Sequence, residues 1–181
     1  MKLPATERRP SGRPQPGEFA DYAQADIDYV AGDDAVAALA RQRDEVLALL
    51  ATLDDTRAAG LTYAPGKWTL KEVIGHLCDD ERIFAYRLLC IARGDMRPLA
   101  GFDEQEYMRD AGFEARALED LTAEYGSVRA ATLSLLGSMT ADGWLRRGVV
   151  NGYETSVRGL AFHIAGHELH HLRTLREKYL P

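Results

Sequence analysis

The sequence predicts an all-α fold, a four-helix bundle of the up-down type with a crossover connection and a short hairpin before its last helix. Three observations carry this. Long stretches repeat apolar residues at helical spacing, their ends bear start and stop signals, and neither an internal repeat nor a strand–helix alternation appears. With 181 residues, 46% of them apolar, one domain can bury a full core without disulfides or metal as staples.

The elements follow in chain order. Residues 1–17 hold four of the seven prolines and a small basic excess, the composition of a flexible N-terminal tail. Residues 18–181 are expected to form the bundle domain, with helical patterning from about Phe19. "DDAVAALARQRDEVLALLATL" places Val36, Leu39, Val46, Leu47, Leu50 and Leu53 at helical spacing behind an acidic start. A second helix opens on Thr69 and Glu72, a capping-box pair, with Trp68 and Val73 placed as a hydrophobic staple; it is expected to run to about Arg93 and stop at Gly94. The connection "GDMRPLAGFDEQEYMRDAGF" carries no regular pattern. A third helix is expected from about Glu114 to Met139. Asn151-Gly152 then signals a hairpin, and Thr155 or Ser156 is placed to cap a last helix running to about Tyr179.

Composition excludes several function classes. A net charge of −6 opposes sequence-independent nucleic-acid binding, which needs a basic surface. No signal-peptide core or membrane-length apolar run occurs. The only cysteines, Cys78 and Cys90, sit roughly 18 Å apart along one helix and cannot bridge each other; free thiols suit a reducing compartment. The expectation is a cytoplasmic protein acting on a small molecule, without nucleic-acid or membrane partners.

Four of the five histidines lie in "HIAGHELHH", residues 163–171, and the fifth is His76. On a helical wheel with His167 at zero, the apolar side of the last helix spans roughly 60° to 140°, and His171 falls at about 40°. His163 lies at about −40° and His170 at about −60°. His167 and His171 are thus closest to the buried seam, at the i, i+4 spacing by which two imidazoles grasp one ion. His76 is likewise a seam residue on the second helix. Three converging neutral nitrogens leave a coordination position open, as catalytic metal sites do.

"PGKWTLKEVIGHLCDDERIFAYRLLCIARGD" and "GHELHHLRTLREKYL" together resemble the DinB-like superfamily of metal-binding four-helix proteins, from about Phe19 to Leu180. The resemblance rests most on Trp68 before a capped helix, on the histidine seven residues after Thr69, and on the H-x-x-H-H ending. It implies a divalent ion, zinc first and nickel second, held by His76, His167 and His171; His163 is extra to the common pattern. Relatives include thiol transferases that use low-molecular-weight thiols, and a thiol-dependent isomerase.

The leading expectation is therefore a divalent-metal-dependent enzyme whose ion activates either a low-molecular-weight thiol cosubstrate, in S-transfer, or water, in hydrolysis. The resemblance tilts it toward thiol transfer. Asp80, at about 40° from His76, is the candidate catalytic residue, placed to orient a ligand imidazole or act as base. Glu81 points toward the apolar side and needs a partner, for which Arg158 is the candidate. Glu168 is expected in a packing or surface role, Cys78 in the core, and Cys90 too far along the helix to be a ligand. The rival expectation is a non-enzymatic metal- or small-ligand-binding bundle in a stress or DNA-damage response, paired as a homodimer through Phe19–Tyr29 or its helix faces. A fourth protein ligand such as His163 would favour that rival, and an open cleft the enzyme.

Overall fold

The computed structural model describes residues 12–180. Four long helices form the bundle: α2 (Ala35–Leu50), α4 (Leu70–Ala92), α6 (Leu118–Gly137) and α8 (Val157–Thr174). Shorter ones, α1 (Gln24–Tyr29), α3 (Asp55–Gly60), α5 (Glu104–Ala111) and α7 (Ala141–Leu145), lie in the connections. The pairs α2–α6, α6–α4, α4–α8 and α8–α2 pack together, so α2 and α4 face each other across a diagonal, as do α6 and α8. The chain therefore crosses an end of the bundle between these partners.

Local chemistry sets the boundaries. The Asp34 carboxylate accepts from the backbone N–H groups of Val36 and Ala37 and starts α2. Thr69 and Glu72 form the capping box of α4, each satisfying the other's backbone N–H, and Gly94, at φ +83°, takes the left-handed turn beyond its end. Ser156, rather than Thr155, caps α8 by accepting from Gly159 N–H at 2.9 Å. Strands β1 (Arg147–Val150) and β2 (Tyr153–Ser156) pair antiparallel around Asn151 and Gly152, both at positive φ, the geometry that makes this dipeptide a hairpin signal.

Three expectations are corrected in detail. The third helix begins at Leu118 and not at Glu114, because residues Phe113–Ala115 form a 3-10 turn whose Phe113 ring packs over Gly75. The N-terminus of α6 is capped from outside by the Asp55 carboxylate, which accepts from Leu118 N–H at 2.8 Å. The connection after Gly94 contains a regular helix, α5, capped by Asp103. Beyond Thr174 the last helix widens into a π turn at Leu175–Tyr179.

Of the segment expected as a tail, residues 1–11 lie outside the described residues. Residues 12–17 follow the bundle, with the Arg13 guanidinium donating to the carbonyls of Ile27 and Val30. The stretch from Phe19 to Val30 buries Phe19, Ala23, Ile27 and Val30 in the same core as Leu160, Ala161, Ile164 and Ala165 of α8. Gly159 and Gly166 permit this approach: a Cβ on Gly166 would stand 2.1 Å from the Asp26 carbonyl oxygen, and one on Gly159 2.0 Å from that of Glu18. Phe19, Ala23 and Ile27 of the Phe19–Tyr29 segment are thus covered within the chain, while Tyr22 and Tyr29 stay exposed. No helix of the described residues is long and apolar enough to cross a membrane.

At the bundle centre the fully buried Arg129 joins all four long helices. Its guanidinium donates to both carboxylate oxygens of Glu81, to both of Glu168, and to the Leu39 carbonyl. Tyr125 Oη–H donates to Glu168 at 2.8 Å. This corrects one expectation: the partner of Glu81 is Arg129, whereas Arg158 pairs with Glu18 at 2.6 Å. Of the two roles expected for Glu168 it takes the packing one, buried in this ion network.

Candidate metal centre

The α4–α8 interface brings His76 and the α8 pair together. His76 Nε2 lies 3.2 Å from His167 Nε2, which lies 3.1 Å from His171 Nε2. The three donor atoms fall within 4.8 Å of one another. Two i, i+4 pairs produce this: His167 and His171 on α8, and His76 and Asp80 on α4, whose same-face spacing aims both α4 side chains at α8. Asp80 Oδ2 is 3.3 Å from His167 Nδ1. With its Nδ1–H turned to that carboxylate, His167 presents Nε2 to the cluster, the arrangement of a metal-ligating histidine and its outer carboxylate. The Trp68 ring covers His76, with centroids 4.9 Å apart.

The electrostatics suit a cation. Burial and the His167 charge push His76 down to about 4. Burial, with His167 and His76, pushes His171 down to about 2. Both imidazoles are therefore neutral near pH 7, their lone pairs unprotonated. Burial opposes a charge on His167 too, yet the carboxylate of Asp80 holds its pKa above the ordinary range. Asp80 in turn is held low by His167, against the effect of its own burial. Three imidazole nitrogens around one point, one backed by a carboxylate, form a donor set that fits a divalent ion. A tetrahedral ion with nitrogens at about 2.0–2.1 Å keeps them roughly 3.3 Å apart, close to the separations here.

The remaining candidates take other places. His163 lines the same cleft but is not among the converging nitrogens. Its ring meets Phe84 edge-on at 4.8 Å, and its Nε2 is 3.8 Å from Asp26 Oδ2. His170 is exposed, with Nδ1 3.9 Å from Asp26 Oδ1. Cys78 is buried in the core cluster with Leu77 and Leu121, and burial pushes its thiol up to about 12, which leaves it inert.

One group at the site was not singled out in the sequence. Glu104, on the first turn of α5, sets Oε2 3.7 Å from His76 Nε2 and is half-exposed to the cleft. The signal was present, since Asp103 is an N-cap residue followed by Glu104 and Glu106, but it sat inside a connection with no apolar periodicity. Over the cluster opens a cleft of about 1220 Å³, walled by Tyr22, Tyr63, Phe84 and Phe102 and by residues 101–105.

Comparison with known proteins adds the family. The profile of the DinB superfamily matches residues 38–175. The chain belongs to the DinB superfamily. The matched stretch takes in α2 from its second turn and the other three long helices of this DinB-superfamily chain whole, and with them His76, His167 and His171. Among solved structures it is similar to YfiT from Bacillus subtilis, described as a probable metal-dependent hydrolase with an unusual four-helix bundle topology. That likeness covers 94% of each chain at a TM-score of 0.72 and 16% identity, and at this identity it speaks for the fold. No curated protein matches significantly.

Proposed function

We propose that this protein is a metal-dependent hydrolase whose divalent ion is held by His76, His167 and His171. The observation that carries the reading is the convergence of the three Nε2 atoms below an open cleft, with the Glu104 carboxylate on the cleft side. An ion bound there supplies Lewis acidity, lowering the pKa of a water or thiol and polarising an electrophile. The YfiT fold, in a protein described as a probable metal-dependent hydrolase, supports the same reading. Three imidazoles suit zinc and nickel alike, and a site of three protein ligands with one position open is the common form of a catalytic zinc site.

The chain's own groups divide the work. Asp80 fixes the tautomer and direction of His167 through Nδ1 and is a positioning residue. Glu104 is the proton acceptor: as the water oxygen bonds to the electrophilic atom, its proton passes to Glu104, and the acid so formed returns it to the leaving group as the scissile bond breaks. Cys78 is buried and neither it nor Cys90 lines the cleft, so no thiol of the described residues serves there as nucleophile.

Transfer of a low-molecular-weight thiol is the second reading. It is favoured by the size of the cleft, which accommodates a cosubstrate beside the substrate. In that case Glu104 takes the thiol proton. The test is to assay zinc- and nickel-loaded protein on ester and amide substrates with and without added thiols. Turnover that needs no thiol and falls in Glu104→Gln supports hydrolysis. Turnover only with thiol assigns the second reading, and none with either metal contradicts both.

A further inference from the structure

Among the described residues two arginines are buried, and only one is in ion-pair contact with carboxylates. Arg129 meets two carboxylates. Arg87, on α4 and 5% exposed, has a single hydrogen bond, from Nη2 to the Ala100 carbonyl at 2.8 Å, and no ion pair among the described residues. Its guanidinium instead lies against two aromatic faces, 5.0 Å from the Phe84 centroid and 5.5 Å from that of Phe102. Cation–π contacts and the nearby charge of Asp80 offset part of the cost of burying this cation, but without a carboxylate in contact the burial remains unfavourable. Arg87 also lines the cleft above the histidines, where its remaining N–H groups have no protein acceptor.

The acidic groups of the cleft are otherwise engaged. Asp80 holds His167, Asp103 caps α5, Glu104 faces His76, and Asp26 faces His163 and His170. We infer that Arg87 is the anchor for a substrate carboxylate, and that the protein acts on small organic acids whose apolar or aromatic body lies against the aromatic wall of the cleft. A guanidinium matches a carboxylate in a two-point fork, and one arginine between apolar walls neutralises a monoanion better than a phosphate dianion. Arg87 stands seven residues beyond Asp80, about 10 Å along the helix. From His76, eleven residues away, the rise is about 16 Å. A substrate anchored at Arg87 must therefore reach back along α4, less the reach of the side chains, to bring its reacting group to the histidines. Which end reacts rests on the reading of the three histidines as the reaction centre; the anion site itself does not.

The test is calorimetric titration of the untagged full chain, stripped of metal by a chelator, with phenylacetate, phenylacetamide and phenyl phosphate, repeated for Arg87→Met and Arg87→Lys. Phenylacetate is expected to bind the parent. It should bind Arg87→Met about tenfold more weakly or worse, the loss expected for a charge-assisted pair, with Arg87→Lys between. Phenylacetamide should bind weakly throughout. Equal phenylacetate affinity in parent and Arg87→Met, or no binding by the parent, overturns the assignment. Arginine-dependent binding that favours phenyl phosphate overturns the carboxylate class. If Arg87→Met does not fold, the Nε–H resonance of Arg87 in the parent, assigned by its absence in Arg87→Lys, must shift on adding phenylacetate; an unmoved resonance again overturns it. Metal uptake is measured separately, so a protein that takes up no metal but binds phenylacetate through Arg87 fails only the metal reading.

Discussion

Asp80 and His167 are joined across the α4–α8 interface, Oδ2 to Nδ1 at 3.3 Å, and both lie four residues from a histidine that completes the cluster. The carboxylate thus acts on the site through the orientation of one imidazole. Asp80→Ala is expected to keep the fold and to lower metal affinity by about 10- to 100-fold, the usual cost of losing such an outer partner. Chelator competition with zinc checks this; unchanged affinity would assign Asp80 no positioning role.

The buried Arg129 network gives a stability prediction. Removing the guanidinium leaves Glu81 and Glu168 facing each other without a cation in the core. Arg129→Met should cost about 3–5 kcal/mol, as expected when one partner of a buried charge set is deleted. Equilibrium urea unfolding measures it, and a loss below about 1 kcal/mol would place the network's charge balance elsewhere.

Glu18 links stability to pH. Its buried carboxylate accepts from Ser156 Oγ and from Arg158. Burial alone would raise its pKa, but these bonds and the charges of Arg158 and Arg147 hold it below 4.5. A carboxyl with a depressed folded pKa stabilises the protein above its unfolded value, and that contribution is lost as pH falls through the folded one. Glu18→Gln should therefore be less stable than the parent near neutrality, with the difference shrinking below about pH 4. Melting temperatures of the two proteins across that range report the effect, and a constant difference would contradict it.

Gly166 tests the docking of the N-terminal segment. With the Asp26 carbonyl 2.1 Å from the site of a Cβ, Gly166→Ala must move backbone, so it should destabilise by about 1–3 kcal/mol although alanine is the better helix former. Hydrogen exchange should locate the loosening in residues 18–30. A neutral or stabilising substitution would contradict the close approach.

Much of this was legible in the sequence. The three histidines could be chosen because helical angle is periodic: an i, i+4 pair and a distant histidine at matching seam angles need only the assumption of two packed helices. The Thr69–Glu72 box and the Asn151-Gly152 turn were readable because each is local chemistry. Pairing between helices was not. Glu81 clearly needed a cation, yet helical angle does not say which neighbour supplies it. Arg129 shares the buried face of its helix with Tyr125, Val128 and Thr132, which sets it inside the bundle and within reach of Glu81. Glu104 and Arg87 escaped for a related reason. The first sits in a connection without periodicity, and the second acquires its meaning only from Phe102 and Ala100, brought over it by that same connection.

The central claim is that His76, His167 and His171 hold one divalent ion. Elemental analysis of the protein purified without a polyhistidine tag, beside His76→Ala and His163→Ala, tests it most directly. The account predicts about one equivalent of zinc or nickel in the parent, its loss in His76→Ala, and its retention in His163→Ala. A parent that neither carries nor takes up metal, or a His76→Ala protein as fully loaded as the parent, would contradict it.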